Sequence, residues 1–91
     1  MKESTIRTKI LKWLNSLPHA AFDISPPNSK TGMPDIAGCY YCIYVAFEVK
    51  IPGKRARPAQ VYALKRLKKA GALVAVVTSL DEVKLFMTEW F

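Results

Sequence analysis

Three segments of the chain place apolar residues at the spacing of one helix face. The first is predicted over residues 4–17, ends before Pro18, and carries Ile6, Ile10, Trp13, Leu14 and Leu17. The second is predicted to begin at Pro58 and to end at Gly71, with an apolar face of Val61, Leu64, Leu67 and Ala70. The third follows a capping-box pattern at residues 79–82 and carries Val83, Phe86, Met87 and Trp90. The chain is therefore predicted to contain three amphipathic helices.

Strand-like segments fill the spaces between these helices. Residues 20–24, 33–39 and 42–50 are predicted strands, and Tyr40-Tyr41 is the expected turn of a hairpin between the last two. Residues 73–78 are continuously apolar, which favours a strand buried on both faces beside a parallel neighbour. Residues 42–78 then form a strand–helix–strand crossover, which is expected to be right-handed. The order of elements predicts an α/β fold, a small mixed sheet flanked by helices.

Composition limits the class of protein. A chain of 91 residues is expected to form one domain, residues 1–91, and 51% hydrophobic with 23% charged residues excludes a disordered chain. No apolar run approaches the about 18 residues of a membrane span, and the charged start does not resemble a signal peptide. Cys39 and Cys42 are too few for a disulfide scaffold, so we expect an intracellular, cytoplasmic protein with semi-buried thiols. A zinc or disulfide link between two subunits through these cysteines is the alternative.

Positive charge is concentrated in one part of the chain. Fourteen Lys and Arg residues against seven Asp and Glu residues give a net charge of +7, and no acidic residue lies between Lys50 and Leu80. This excess indicates an anionic partner, for which nucleic acid is favoured over a membrane because no clean apolar helix face opposes the charges. A merely solubilising surface is the alternative. The candidate phosphate contacts are Lys54, Arg55, Arg57 and Lys65.

Two acids and a lysine form the candidate chemical site. Glu48 and Lys50 leave the same face of one predicted strand, and the hairpin can bring Asp35 beside Glu48. Two neighbouring carboxylates repel, and a divalent cation with a preference for oxygen ligands, Mg²⁺ or Mn²⁺, relieves that repulsion. Lys50 can orient a water and offset charge in a transition state, so these parts suit metal-assisted phosphodiester hydrolysis. The alternative is an ordinary solvated strand face with Asp35 as a turn residue.

The joint pattern of these residues resembles a known nuclease signature. Pro34-Asp35, twelve intervening residues and then Glu48-Val49-Lys50 match the PD-(D/E)XK pattern. The wider string, from Glu3 to about Phe86, resembles the virus-type replication-repair nuclease (VRR-NUC) family. The matching pieces are Glu3, Gly32-Met33-Pro34-Asp35-Ile36, Phe47-Glu48-Val49-Lys50, Gly53-Lys54, Pro58-x-Gln60 and Gly71 before residues 73–78.

The resemblance implies a restriction-endonuclease-like αβββαβ core and a divalent-metal-dependent endonuclease. It implies that Asp35, Glu48 and the backbone carbonyl of Val49 bind Mg²⁺ or Mn²⁺ and that Lys50 is the catalytic lysine. Glu3 and Gln60 are implied as accessory active-site residues, and their positions on the inward face of the first helix and in the first turn of the second agree with this. The alternatives are a first-turn acid that complements the helix dipole for Glu3 and a surface residue for Gln60.

Two positions depart from the family pattern. Arg57 stands where the family often has Ser or Thr before the proline that opens the second helix, which removes a capping hydroxyl and adds a candidate phosphate contact. Lys30 stands in the loop where the family often has Arg. The DNA contacts that the family makes through that loop therefore transfer less directly to this chain. We expect Lys30 itself to bind DNA.

The size of the chain leaves no separate base-reading module, so recognition of DNA structure is expected rather than of DNA sequence. Stand-alone members of the family resemble homodimeric resolvases that cut four-way junctions, which implies branched or junction DNA as substrate and a homodimer as the active form. A phage or prophage origin would fit the family. The alternatives are a catalytically inactive nucleic-acid-binding module and a restriction-type nuclease that cuts flaps or duplex.

Overall fold

The computed structural model describes residues 2–25 and 32–91 of the chain. These residues form, in chain order, α1 (Glu3–Leu14), β1 (Ala20–Ile24), β2 (Ile36–Tyr40), β3 (Ile43–Val49), α2 (Pro58–Lys69), β4 (Leu73–Val77) and α3 (Leu80–Trp90). The order confirms the predicted αβββαβ core, followed by the third helix. No helix in this described part is both long and apolar enough to cross a membrane.

The four strands form one mixed sheet in the order β1-β2-β3-β4. The pairs β1–β2 and β2–β3 are antiparallel, whereas β3 and β4 are parallel and are connected through α2. The β2–β3 hairpin turns at Tyr41-Cys42, one residue later than predicted, and both residues have positive φ, 48° and 69°. A two-residue hairpin loop needs this left-handed backbone because it matches the twist of the strands. The predicted α/β class and mixed sheet are confirmed.

The core lies mainly on one face of the sheet. Alternate residues of β3 (Val45, Phe47 and Val49) pack there with buried residues of α1 and α3, including Ile10 and Val83. The intervening β3 residues, Ala46 and Glu48, lie on the other face, which α2 covers. The position of Glu48 beneath α2, rather than in solvent, follows from this alternation.

Three structural expectations need correction. Helix α1 ends at Leu14 instead of residue 17, because the Asn15 side chain accepts from the Phe22 N–H at 2.8 Å and donates to its carbonyl at 3.0 Å. Strand β4 is not buried on both faces: it is an edge strand, and Val76 is 46% exposed. The thiols of Cys39 and Cys42 are free and exposed instead of semi-buried, because both lie at the hairpin end of the sheet.

Candidate active site

Asp35 and Glu48 are brought together by the register of the β2–β3 hairpin. Ile36 pairs with Phe47, so the preceding residue, Asp35, lies across from Glu48. The Asp35 carboxylate is held there by the main chain, since the Val49 N–H donates to its Oδ2 at 2.8 Å. The backbone of Pro34 and Asp35 is bonded to Ser25, whose N–H donates to the Asp35 carbonyl at 2.8 Å and whose hydroxyl donates to the Pro34 carbonyl. Asp35 is therefore fixed on both sides before any ligand binds.

Glu48 is a buried carboxylate with one satisfied and one unsatisfied oxygen. Its exposed fraction is 1%, and its Oε2 accepts from Gln60 Nε2 at 2.6 Å and lies 3.2 Å from Lys50 Nζ. Its Oε1 is buried and has no hydrogen-bond partner within residues 2–25 and 32–91. Burial, followed by the negative charge of Asp35, raises the pKa of Glu48 from its usual 4.5 to about 7, and Lys50 offsets only part of this rise. The group is thus costly to ionise without a further cation.

Gln60 connects the start of α2 to this carboxylate. Its Oε1 accepts from the Arg57 N–H at 2.8 Å, and its Nε2 donates to Glu48. The guanidinium of Arg57 cannot accept a hydrogen bond, so the helix start has only the Gln60 half of a capping box. One amide therefore satisfies a free N–H of the helix and orients Glu48.

Glu3 approaches the site only through Arg7, a residue that the sequence analysis missed. Arg7 Nη1 lies 3.1 Å from Glu3 Oε1 and 3.9 Å from Asp35 Oδ1. Glu3 and Arg7 are four residues apart, the spacing at which helix side chains meet, and this was the signal available in the sequence. The two residues extend the site from Asp35 onto the first turns of α1.

The donor set fits a hard divalent cation. Lys50 directs its N–H to the Val77 carbonyl of β4 at 2.9 Å, so the preceding residue, Val49, directs its own N–H and carbonyl to the opposite side, where Asp35 lies. Two carboxylates, one of them with an unsatisfied buried oxygen, and this carbonyl suit Mg²⁺, which takes few protein oxygens and keeps several waters. No group of three or more His, Cys, Asp or Glu side chains is arranged to hold a metal ion in the described part of the chain, so a bound ion would need the Val49 carbonyl or water beside the two carboxylates.

The candidate phosphate contacts are exposed cations that follow Glu48 and Lys50 in the chain. Lys54, Arg55 and Arg57 lie between Lys50 and α2, and Lys65 lies on α2. Among the described residues, ion pairs involve only Arg7 and Lys50, so these four cations make none there. Lys30 lies outside the described residues.

The histidine lies far along the sheet from the carboxylates. His19 packs on Tyr41 with ring centroids 4.7 Å apart, at the hairpin end of β2, whereas Asp35 precedes the other end of that strand.

Two solved structures that share this fold are named for a VRR_NUC domain. A structure named "VRR_NUC domain" matches with a TM-score of 0.83 and 21% identity, over 98% of this chain and 97% of that chain. A second, named "VRR_NUC domain protein", matches with a TM-score of 0.79 and 21% identity, over 99% of this chain and 88% of that chain. A scan of family models finds no match, and neither does a search of curated proteins. At this identity the likeness is one of fold, and it confirms the fold expected from the VRR-NUC resemblance.

Proposed function

We propose that this protein is a divalent-metal-dependent endonuclease that hydrolyses phosphodiester bonds in DNA. The observation that carries this proposal is the buried Glu48 carboxylate beside Asp35, with one oxygen unsatisfied and the other in contact with Lys50. A protein that only binds DNA gains nothing from two carboxylates next to the phosphate, because they repel it. The fold shared with structures named VRR_NUC domain supports the same proposal.

Asp35, Glu48 and the carbonyl of Val49 are the proposed ligands of Mg²⁺ or Mn²⁺. When bound, such an ion supplies positive charge to the phosphodiester oxygens and activates a water. The protein's part is to keep the ligands in place without the ion: the Val49 N–H holds Asp35, and Gln60 holds Glu48. This preorganisation lowers the cost of assembling the site during the reaction.

Lys50 is the proposed catalytic lysine. Its ammonium group lies 3.2 Å from Glu48 Oε2, and its side chain is mostly buried, so its position is well defined. From there it donates a hydrogen bond to a phosphate oxygen or to the attacking water and stabilises the negative charge that grows in the transition state. Glu3 and Gln60 are proposed accessory residues, Gln60 through Glu48 and Glu3 through Arg7.

The proposed substrate is branched DNA, and the proposed active form is a homodimer in the cytoplasm. Lys30, Lys54, Arg55, Arg57 and Lys65 are the proposed contacts to the phosphate backbone. A dimer would carry twice the chain's net charge of +7, and two sites related by a two-fold axis suit symmetric cuts across a junction.

A cleavage assay tests this proposal. Labelled four-way junction, flap, single strand and linear duplex are incubated with the protein in Mg²⁺, Mn²⁺ or EDTA. We expect metal-dependent, symmetric cuts in the junction, which Lys50→Ala abolishes and Lys12→Ala, a change of an exposed lysine on α1, leaves intact. Sedimentation analysis should give a dimer at the concentrations used.

Other outcomes select the alternatives. Cuts in flaps or duplex without a junction preference would replace the resolvase proposal with a restriction-type nuclease. Binding in EDTA with no cut on any substrate would favour a non-enzymatic DNA-binding module. A wild-type rate for Lys50→Ala would refute the role given to this lysine.

A further inference from the structure

A groove beside the candidate active site takes no part in the chemistry proposed above. It lies between α2 and the segment that leads into β2, and it encloses about 450 Å³. Its walls include Met33, Pro34, Tyr44, Tyr62 and Arg66. This volume lies within the roughly 300–1,000 Å³ that is typical of small-molecule pockets. The groove is therefore large enough to hold one planar ring system.

The groove adjoins the candidate catalytic residues through the chain itself. Pro34, on one wall, directly precedes Asp35, and Ala59, on the other wall, directly precedes Gln60. Consecutive Cα atoms are only about 3.8 Å apart. A nucleotide whose phosphate lies at the carboxylates would therefore have the groove within reach of its own base or of the next one.

The walls combine a largely exposed aromatic ring with a cation that lies over it. Tyr62 is 66% exposed, although it is a large ring on a helix that packs on the sheet. The guanidinium carbon of Arg66 lies 6.0 Å from the centroid of the Tyr62 ring. No acidic residue lines the groove within the described part of the chain. An aromatic platform with an adjacent cation and no acid favours a nucleotide, whose base stacks and whose phosphate is anionic.

We propose that this groove binds an unpaired base of the DNA strand that is cut, stacked on Tyr62, with Arg66 beside a neighbouring phosphate. The inference rests on the proposed nuclease function and narrows its substrate class. A base inside an intact duplex cannot enter, because both of its faces are covered and it must first leave the stack. The protein therefore prefers DNA with an unpaired nucleotide next to the phosphodiester that it cuts.

A fluorescent base tests stacking without any cleavage. Wild-type protein in EDTA is mixed with duplex DNA that carries one unpaired 2-aminopurine, whose fluorescence is quenched by stacking, and with a fully paired duplex of the same length. Tyr62→Ala removes the platform, Tyr62→Phe keeps it, and Trp90→Ala removes an aromatic ring that is 58% exposed on α3, across the sheet from α2. Thermal melting shows that each variant is folded.

We expect quenching with wild type, Tyr62→Phe and Trp90→Ala, and none with Tyr62→Ala. Tyr62→Ala should also weaken binding of the unpaired-base duplex by about 5- to 100-fold while leaving the paired duplex unchanged. Equal loss of affinity for both duplexes, no loss of affinity with Tyr62→Ala, or quenching that Tyr62→Ala retains would overturn the inference. Because the stacking assay needs no metal, the two proposals fail in distinguishable ways. Cleavage without quenching refutes the base site, whereas quenching without cleavage in Mg²⁺ refutes the nuclease and leaves a groove that binds an unpaired base.

Discussion

The buried charge of Glu48 should make the metal-free protein less stable as the pH rises. The pKa of Glu48 is raised from 4.5 to about 7, first by burial and then by Asp35. Between these two values the folded state binds more protons than the unfolded state, so the free energy of unfolding falls with pH. This contribution is fully present below pH 4.5 and is lost as the pH passes through 7. Its full size is on the order of 3 kcal/mol.

The range from pH 6 to pH 8 isolates this effect. With a folded pKa of about 7, the loss over that range is about 1 kcal/mol, which lowers Tm by roughly 4–8 °C in a domain of this size. Thermal melts in EDTA should show that extra decline for wild type relative to Glu48→Gln, which cannot ionise. The difference between their slopes therefore reports the loss of the Glu48 carboxyl group together with its interactions with Asp35 and Lys50.

A matched control guards against a general charge effect. Glu89→Gln removes an exposed carboxylate on α3 and should keep the wild-type slope. Glu48→Gln should also be more stable than wild type at pH 8 in EDTA, even though it lacks a candidate metal ligand. Parallel pH profiles for Glu48→Gln and wild type would refute this prediction, because ionisation of the buried carboxyl group would then carry no cost in the folded state.

Three further predictions concern the ion, the α1 extension of the site and the sheet. Added Mg²⁺ should raise the Tm of wild type at pH 8 but not that of Glu48→Gln, because an ion that binds only the folded state stabilises it; an equal rise in both would place the ion elsewhere. Arg7→Leu should slow cleavage by about 10- to 100-fold, because Asp35 loses a partner that helps to position its carboxylate. Single-turnover rates measure this effect, and fluorescence anisotropy should show an unchanged DNA affinity. An unchanged cleavage rate would show that Arg7 is not part of the site. Gly38→Ala should lower the free energy of unfolding, measured by urea denaturation, by about 1–3 kcal/mol or more. The reason is that a Cβ at this position would lie 2.0 Å from the Ala21 carbonyl oxygen. Wild-type stability would mean that β1 moves aside without cost.

Elements with local start and stop signals could be predicted well from the sequence. Helix α2 begins at Pro58, and Gly71 adopts a φ of 108° just after its end, where the Ala72 N–H bonds to the Leu67 carbonyl. Helix α3 begins after Ser79, whose hydroxyl accepts from the Glu82 N–H. These signals act through backbone geometry within a few residues, so no tertiary information is needed to interpret them.

Features that depend on distant partners were predicted poorly. Helix α1 ends early because Asn15 bonds to Phe22, a contact that exists only once β1 is in place. The exposure of Val76 depends on the strand order, which leaves β4 at an edge. An apolar run has the same composition in a central strand and in an edge strand, so periodicity alone cannot distinguish them.

The residues of the candidate site could be predicted from the sequence, but their burial and hydrogen-bond partners could not. The motif spacing predicted that Asp35 lies near Glu48 and Lys50, but the predicted turn at Tyr40-Tyr41 would set Asp35 opposite Ala46, and only the observed turn at Tyr41-Cys42 sets it opposite Glu48. The unsatisfied oxygen of Glu48 depends on the cover that α2 provides, and no sequence pattern reports it. Arg7 was hidden in an ordinary amphipathic helix, where a cation facing solvent is the usual expectation.

The most direct test of the proposed nuclease site is the single-turnover cleavage rate as a function of Mg²⁺ concentration. The substrate is a labelled four-way junction, and wild type is compared with Glu48→Gln and with the control Glu89→Gln. The account predicts a saturable Mg²⁺ dependence for wild type and Glu89→Gln, no cleavage in EDTA, and no cleavage by Glu48→Gln at any Mg²⁺ concentration. Cleavage by wild type in EDTA, or by Glu48→Gln at the wild-type rate, would contradict it.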